Sequence, residues 1–247
     1  MTVIAVAGGT GTIGAPIVAR IRELGHEARV LSRRAGVDLA TGTGLDLRGV
    51  DAVIDAIGVD TISAKRAVDF FSTTSGALLR AGADAGVRHH VALSIVGADA
   101  APHGYYAGKA AQERIVRSGP VPWTIARATQ FHEFAAQMLR RGAVGPVALI
   151  PRTRAQPVSS RDLATVLVDL ALGEPLRGAI EIAGPREERV VEMARAYAAA
   201  TGRRGPILEI PFPGAFGRAL ADGTLLPGAD ARILPESFAD WLARIRS

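Results

Sequence analysis

Short apolar runs alternate with helically spaced stretches over the first half of the chain. Thr2-Val3-Ile4-Ala5-Val6-Ala7 is apolar almost throughout, the pattern of a strand buried on both faces. Ala15 to Ile21 carries its apolar residues at helical spacing. Glu27 to Leu31 reads as a second strand, and Val50 to Ile57 as a further buried strand ending at Gly58. A helix is predicted over about 62–84, with Ala67, Val68, Phe71, Leu78 and Leu79 on its inner face and Gly86 ending it. His89 to Ser94 gives the next strand. A loop with Gly97, Pro102 and Gly104 leads to a helix over about 105–117 and a strand at Trp123 to Ala126. Residues 36–48 are short and glycine-rich, so the strand and helix expected there are trimmed. Past residue 140 the rhythm changes, with helices predicted near 160–172, 187–201 and 236–245 and strands near 147–150 and 178–183. Such alternation predicts an α/β, doubly wound parallel sheet with right-handed crossovers. One domain over 1–247 is expected, with a core over about 1–140 and a smaller lobe over about 141–247.

The first strand runs into Gly8-Gly9-Thr10-Gly11-Thr12-Ile13-Gly14 and then into the first helix. Glycine between strand and helix allows a tight turn, a close backbone approach to a pyrophosphate, and close helix–strand packing. The free N–H groups at the helix start then hold the phosphates. Two registers fit, Gly9/Gly11/Gly14 and the wider Gly8/Gly11/Gly14. The sheet is therefore expected to be Rossmann-type. About 20 residues on, where NAD sites place a carboxylate, stand Ser32-Arg33-Arg34. Guanidinium grips a 2′-phosphate that a carboxylate would repel, and Ser32 can donate a hydrogen bond, so NADP(H) is the expected cofactor. In Asp38-Leu39, Asp38 fits either the adenine amino group or a turn. Ala56-Ile57-Gly58 should pass under the ribose and nicotinamide, at the carboxyl end of its strand.

Composition removes alternatives. No uncharged apolar run reaches the length of a membrane span, and the N-terminus lacks the basic start of a signal peptide. Cysteine is absent, which excludes a disulfide frame and thiolate chemistry and fits a cytoplasmic setting. The formal charge is +5, but the basic residues are dispersed, so no nucleic-acid partner is expected. His89 and His90 are neighbours on a strand and face opposite ways, so no metal site is expected. His103, His132 and Trp123 read as loop, helix-face and core residues. Asp55 fits either an active-site face or a turn cap. Of 29 basic residues only Lys65 and Lys109 are lysine, which marks each as a position where arginine does not serve.

Lys109 lies in Tyr105-Tyr106-Ala107-Gly108-Lys109. Residues 105 and 109 share one helix face, and Tyr106 points about 100° away. A phenol is a poor acid–base catalyst at neutral pH unless a nearby ammonium favours its ionised form. Tyr105 so tuned can protonate a developing alkoxide, Lys109 can also hold the nicotinamide ribose, and Ser94 at its strand end can orient the substrate oxygen.

Gly8 to Gly14, Ser94, Tyr105-x-x-x-Lys109 and Pro122-Trp123-Thr124-Ile125-Ala126-Arg127-Ala128-Thr129-Gln130-Phe131 together resemble the atypical short-chain dehydrogenase/reductases, in their NmrA-like branch. The resemblance covers most of the chain and implies a Rossmann core with a small substrate lobe. It implies that Thr10, Thr12, Ile13, Arg33 and Lys109 line an NADP site, that Thr129, Gln130 and Phe131 sit near the nicotinamide and substrate, and that Ser94, Tyr105 and Lys109 are catalytic. The 11-residue separation of Ser94 from Tyr105 is shorter than the family's usual one. The expected function is NADPH-dependent reduction of a small organic carbonyl or quinone. The alternative is a non-catalytic NADP(H)-sensing regulator, since NmrA-like relatives include proteins without turnover. A sugar-nucleotide epimerase would need tightly retained NAD, against which Arg33-Arg34 speaks. Substrate and oligomeric state are not encoded legibly.

Overall fold

The computed structural model describes residues 1–246. The strands are β1 (Val3–Ala7), β2 (Glu27–Leu31), β3 (Ala52–Asp55), β4 (His89–Ile95), β5 (Trp123–Ala128), β6 (Ala143–Val144), β7 (Val147–Pro151), β8 (Arg154–Ala155), β9 (Ala179–Ala183), β10 (Glu188–Arg189), β11 (Ile207–Ile210) and β12 (Arg232–Ile233). The helices are α1 (Gly14–Glu23), α2 (Ala64–Ala85), α3 (Tyr105–Ser118), α4 (Phe134–Arg141), α5 (Ser160–Leu172), α6 (Val190–Ala200), α7 (Gly214–Asp222) and α8 (Phe238–Arg246). One 3-10 turn spans Arg33–Ala35.

Seven strands form a parallel sheet in the order β12-β9-β5-β4-β3-β1-β2. β1 lies between β2 and β3, so the winding reverses at β1/β3, and the carboxyl ends of these two strands flank the crevice where ligands of open α/β sheets bind. β1 is buried from Ile4 to Ala7 and β3 throughout, as strands covered on both faces must be. No strand is formed between β2 and β3. Residues 36–50 instead tuck Val37, Leu39, Leu47 and Val50 into the core, which replaces the trimmed strand by a loop.

By its internal packing the chain divides into two units, residues 1–127 with 160–180, and residues 128–159 with 181–247. The expected single boundary near 140 differs from this division. Helix α5 belongs to the first unit because it packs on α1, β3 and β4 through a face that includes Leu163, Val166, Leu167 and Ala171. The second unit has its own core, with Leu139, Ile150, Val191, Met193, Phe238 and Trp241. Helices α4 and α7 escaped the sequence reading, because each is short and lies among Pro, Gly and Arg residues that weaken the periodic signal.

Helix α2 starts at Ser63, whose hydroxyl accepts from Arg66 N, and ends at Gly86 in the left-handed region, φ 74°. Its buried face carries Ala67, Phe71, Leu78 and Leu79 as expected, but Val68 is only half-buried, and Thr74 and Ser75 are buried in addition. Helix α3 meets α2 at Gly108. A Cβ there would stand 2.7 Å from both Ala67 Cβ and Phe71 Cδ2. Gly108→Ala is therefore expected to destabilise the protein. Overpacking costs about 1–3 kcal/mol, against about 1 kcal/mol gained in helix propensity. A urea-unfolding midpoint equal to or above wild type would contradict this.

Candidate functional site

The glycine turn is built at the winding reversal. Gly8 N–H bonds Leu31 O, and Gly11 N–H closes a turn on Gly8 O at 2.9 Å. Gly8 has φ +76°, and a Cβ on it would lie 2.7 Å from Ala56 O. A Cβ on Gly14 would lie 2.0 Å from Gly8 O. Gly9 and Gly11 are less constrained, with nearest approaches of 3.1 and 3.3 Å. Between the two registers the backbone favours the wider one, because it is Gly8 and not Gly9 whose φ and surroundings require glycine. Helix α1 begins beside it with no side-chain cap and no acidic residue in its first turn, while Arg20 and Arg22 sit in its last. Thr10, Gly11 and Thr12 are exposed, and Ile13 is buried. An unblocked helix start behind a Cβ-free cradle fits a pyrophosphate.

Ser32 follows β2 and caps the Arg33–Ala35 turn, its Oγ accepting from Ala35 N at 3.3 Å, which leaves the hydroxyl proton available. Arg33 and Arg34 are exposed, and among the described residues neither side chain has a hydrogen-bond or ion-pair partner. Asp38 resolves to a turn: its Oδ1 accepts from Ala40 N at 2.9 Å, and its backbone pairs with Thr43. Leu39 is core. Ala56 and Ile57 are buried beside the cradle, Ala56 N–H bonding Ala7 O, and Gly58 is exposed.

The Tyr–Lys pair forms as spaced, but its partners differ from those expected. Tyr105 opens α3, with its ring edge-on to Phe71 at 5.5 Å and its hydroxyl 3.9 Å from where a Cβ on Gly58 would sit. Tyr106 turns into the core. Lys109 is 2 % exposed. Its Nζ donates to Leu93 O at 2.7 Å, Gln112 Oε1 at 2.9 Å and Ile57 O at 3.4 Å. The ammonium lies 4.2 Å from the Phe71 ring centre and 5.7 Å from that of Tyr105. Burial pulls its pKa down to about 8, against the charges of Asp55 and Glu113, which favour the ammonium.

Asp55, fully buried at the end of β3, belongs to the same cluster. Its Oδ2 accepts from Ser75 Oγ at 2.7 Å and Gln112 Nε2 at 3.0 Å, with His90 Nε2 at 3.8 Å. Burial works against the carboxylate. The His90 imidazole, the Lys109 charge and the Ser75 hydroxyl outweigh it and hold Asp55 below the ordinary carboxylate range. Ser75, Gln112 and Glu113 escaped the sequence reading, although Gln112 and Glu113 follow Lys109 by three and four residues on one helix face.

Ser94 is buried, and its hydroxyl donates to Glu113 Oε1 at 2.7 Å. Glu113 also accepts from Arg127 at 2.7 Å, and Arg127 reaches Asp99 at 2.9 Å. These hydrogen bonds to two carboxylates hold the Arg127 guanidinium above its ordinary pKa. The Ser94 proton is therefore already engaged within the protein. In the second unit Thr129 Oγ1 donates to Gln156 O at 2.6 Å, Gln130 is buried and Phe131 half-buried. His132 is core there, packed on Phe238 and Trp241. His89 pairs with Thr124 Oγ1 and Gly173 O, on the opposite side of β4 from His90. No helix among the described residues is long and apolar enough to cross a membrane.

No protein-family model and no curated protein matches the sequence. Solved structures do. A short-chain dehydrogenase/reductase superfamily protein from Agrobacterium tumefaciens with bound NAD is 18% identical, with a TM-score of 0.66 over 99% of this chain and 96% of that one. An NADPH-dependent quinone oxidoreductase from Escherichia coli is 14% identical, with a TM-score of 0.62 over 99% of this chain and 100% of that one. The Thermus thermophilus UDP-glucose 4-epimerase in complex with NAD is 18% identical, with a TM-score of 0.64 over 100% of this chain and 94% of that one. The likeness is one of fold, and the chain has the Rossmann-type α/β fold common to a short-chain dehydrogenase/reductase superfamily protein, a quinone oxidoreductase and a sugar-nucleotide epimerase.

Proposed function

We propose that the chain is an NADP(H)-dependent reductase of a small organic carbonyl or quinone. One observation carries the reading: the Tyr105 hydroxyl stands beside Gly58, at the strand end where the winding reverses, with the Lys109 ammonium close to the same ring. The Gly8/Gly11/Gly14 cradle and the start of α1, with Thr10, Thr12 and Ile13, would take the pyrophosphate. Ser32, Arg33 and Arg34 would take a 2′-phosphate, and Ala56, Ile57 and Gly58 would back the ribose and nicotinamide. Asp38, whose Oδ1 accepts from Ala40 N in its turn, and Leu39 behind it would lie toward the adenine. Bound NADPH supplies hydride. Tyr105 gives its hydroxyl proton to the carbonyl oxygen as the carbon is reduced, and the resulting phenolate is stabilised by Lys109. Ser94 would orient that oxygen on release from Glu113.

A second reading, a non-catalytic NADP(H)-sensing regulator, is favoured by the inward engagement of Ser94 and Lys109. Both readings require the 2′-phosphate. In fluorescence titrations the protein should bind NADPH more tightly than NADH. Arg33→Ala/Arg34→Ala should weaken NADPH binding about 10- to 100-fold and leave NADH unchanged, as charge-assisted hydrogen bonds of about 1.5–3 kcal/mol are lost. Equal losses for both nucleotides would reject the assignment. Oxidation of bound NADPH across ketones, enones and quinones then separates reductase from sensor.

A further inference from the structure

Two buried charges of opposite sign, Asp55 and Lys109, are bridged by one amide, that of Gln112. Its orientation is fixed by its partners. The amide oxygen accepts from Lys109 Nζ at 2.9 Å, and the amide nitrogen donates to Asp55 Oδ2 at 3.0 Å and Ser75 Oγ at 3.2 Å. A reversed amide would set donor against ammonium and oxygen against carboxylate. Such burial is costly where an apolar helix–sheet contact would serve, and half-satisfied networks are worse than none. Here the amide and the ammonium are both fully partnered. Leu93 O and Ile57 O accept the remaining ammonium protons, and the Phe71 ring floors the site. Of the three ammonium bonds, the weakest, 3.4 Å to Ile57 O, is made to the backbone at the carboxyl end of β3.

We infer that Asp55 and Gln112 are positioning residues that hold Lys109 in place and in charge, so that the ammonium stays beside the Tyr105 ring at the ligand-binding ends of β3 and β4. The inference rests on the proposed reductase site. The charged and titratable groups around Lys109 are Asp55 from β3, with His90 of β4 beside it, and Glu113 and Tyr105 from α3; α2 contributes Ser75 and Phe71. Losing either the accepting amide or the carboxylate removes a group that favours the ammonium, so both losses act in one direction.

The chain's two lysines make the test direct. Lysine labelled with 13C at Cε gives one signal from exposed Lys65, paired with Asp69, and one from buried Lys109. The Lys109 signal should titrate near 8 in the wild type. Its midpoint should fall by roughly one unit in Gln112→Leu and in the isosteric Asp55→Asn, which keeps the test open should the former not fold. With a substrate in hand, the alkaline limb of kcat should move down with it. An unmoved midpoint in a folded variant overturns the inference, as does a moved midpoint with an unmoved kcat profile. A wild type that binds NADPH but turns over no carbonyl or quinone sinks the reductase reading instead, and the lysine midpoint still decides the inference.

Discussion

Tyr105→Phe is expected to cut NADPH-dependent reduction by about 100- to 10,000-fold, the usual contribution of a positioned general acid. NADPH affinity should change little, since the ring itself, edge-on to Phe71, is retained. Only the hydroxyl beside Gly58 is removed. The result separates the two readings of the site. A reductase loses turnover and keeps its cofactor, whereas a sensor has no turnover to lose. Full activity of the variant on a verified substrate would remove Tyr105 from the mechanism. Tyr105→Ser is a poorer probe, because it also deletes the ring that packs edge-on against Phe71 and stands 5.7 Å from the ammonium.

Gly14→Ala should abolish nucleotide binding, weakening NADPH by at least about 100-fold, some 2.7 kcal/mol or more. The added Cβ would lie 2.0 Å from Gly8 O and 2.7 Å from Gly9 Cα, and both obstacles are backbone. The turn must open or α1 must retreat, and either movement takes the helix start from the cradle. Gly8→Ala should follow in severity, since it combines φ +76° with a 2.7 Å approach to Ala56 O, and Gly11→Ala should be the mildest. Calorimetry with NADPH on folded variants, their folding checked by circular dichroism, reads the order directly. A Gly14→Ala protein that binds as the wild type does would place the phosphates elsewhere.

The periodic parts of the fold were legible in the sequence. Strands buried on both faces read as apolar runs, and α2, α3 and α5 kept a helical stripe within two residues of their observed ends. The glycine turn was legible because backbone geometry leaves few residues to choose from, although the sequence left two registers open that Gly8, set against Gly9, separates sterically. The Tyr–Lys pair was legible through helix spacing alone. What spacing does not carry is direction across the core. Nothing in the sequence tells that Lys109 turns toward Leu93 O, that Ser94 gives its proton to Glu113, or that Asp55 finds Ser75 and Gln112. Those bonds join residues 16 to 57 positions apart and depend on how α2 and α3 seat on the sheet. The interleaving of the two units was hidden for the same reason, since α5 is recruited by shape rather than by neighbourhood in sequence.

The trimmed segment after β2 leaves that strand as the border of the sheet. A bare border offers a row of unpaired peptide groups on which another chain can template itself. Arg29, in the middle of β2, meets this hazard by reaching out to the carbonyls of Arg48, at 2.9 Å, and Asp46, at 3.4 Å. The 36–50 loop, anchored inside by Leu39 and Leu47, is thereby tied to the strand. The chain has exchanged an outer strand for a flap fastened to the border strand by the Arg29 guanidinium.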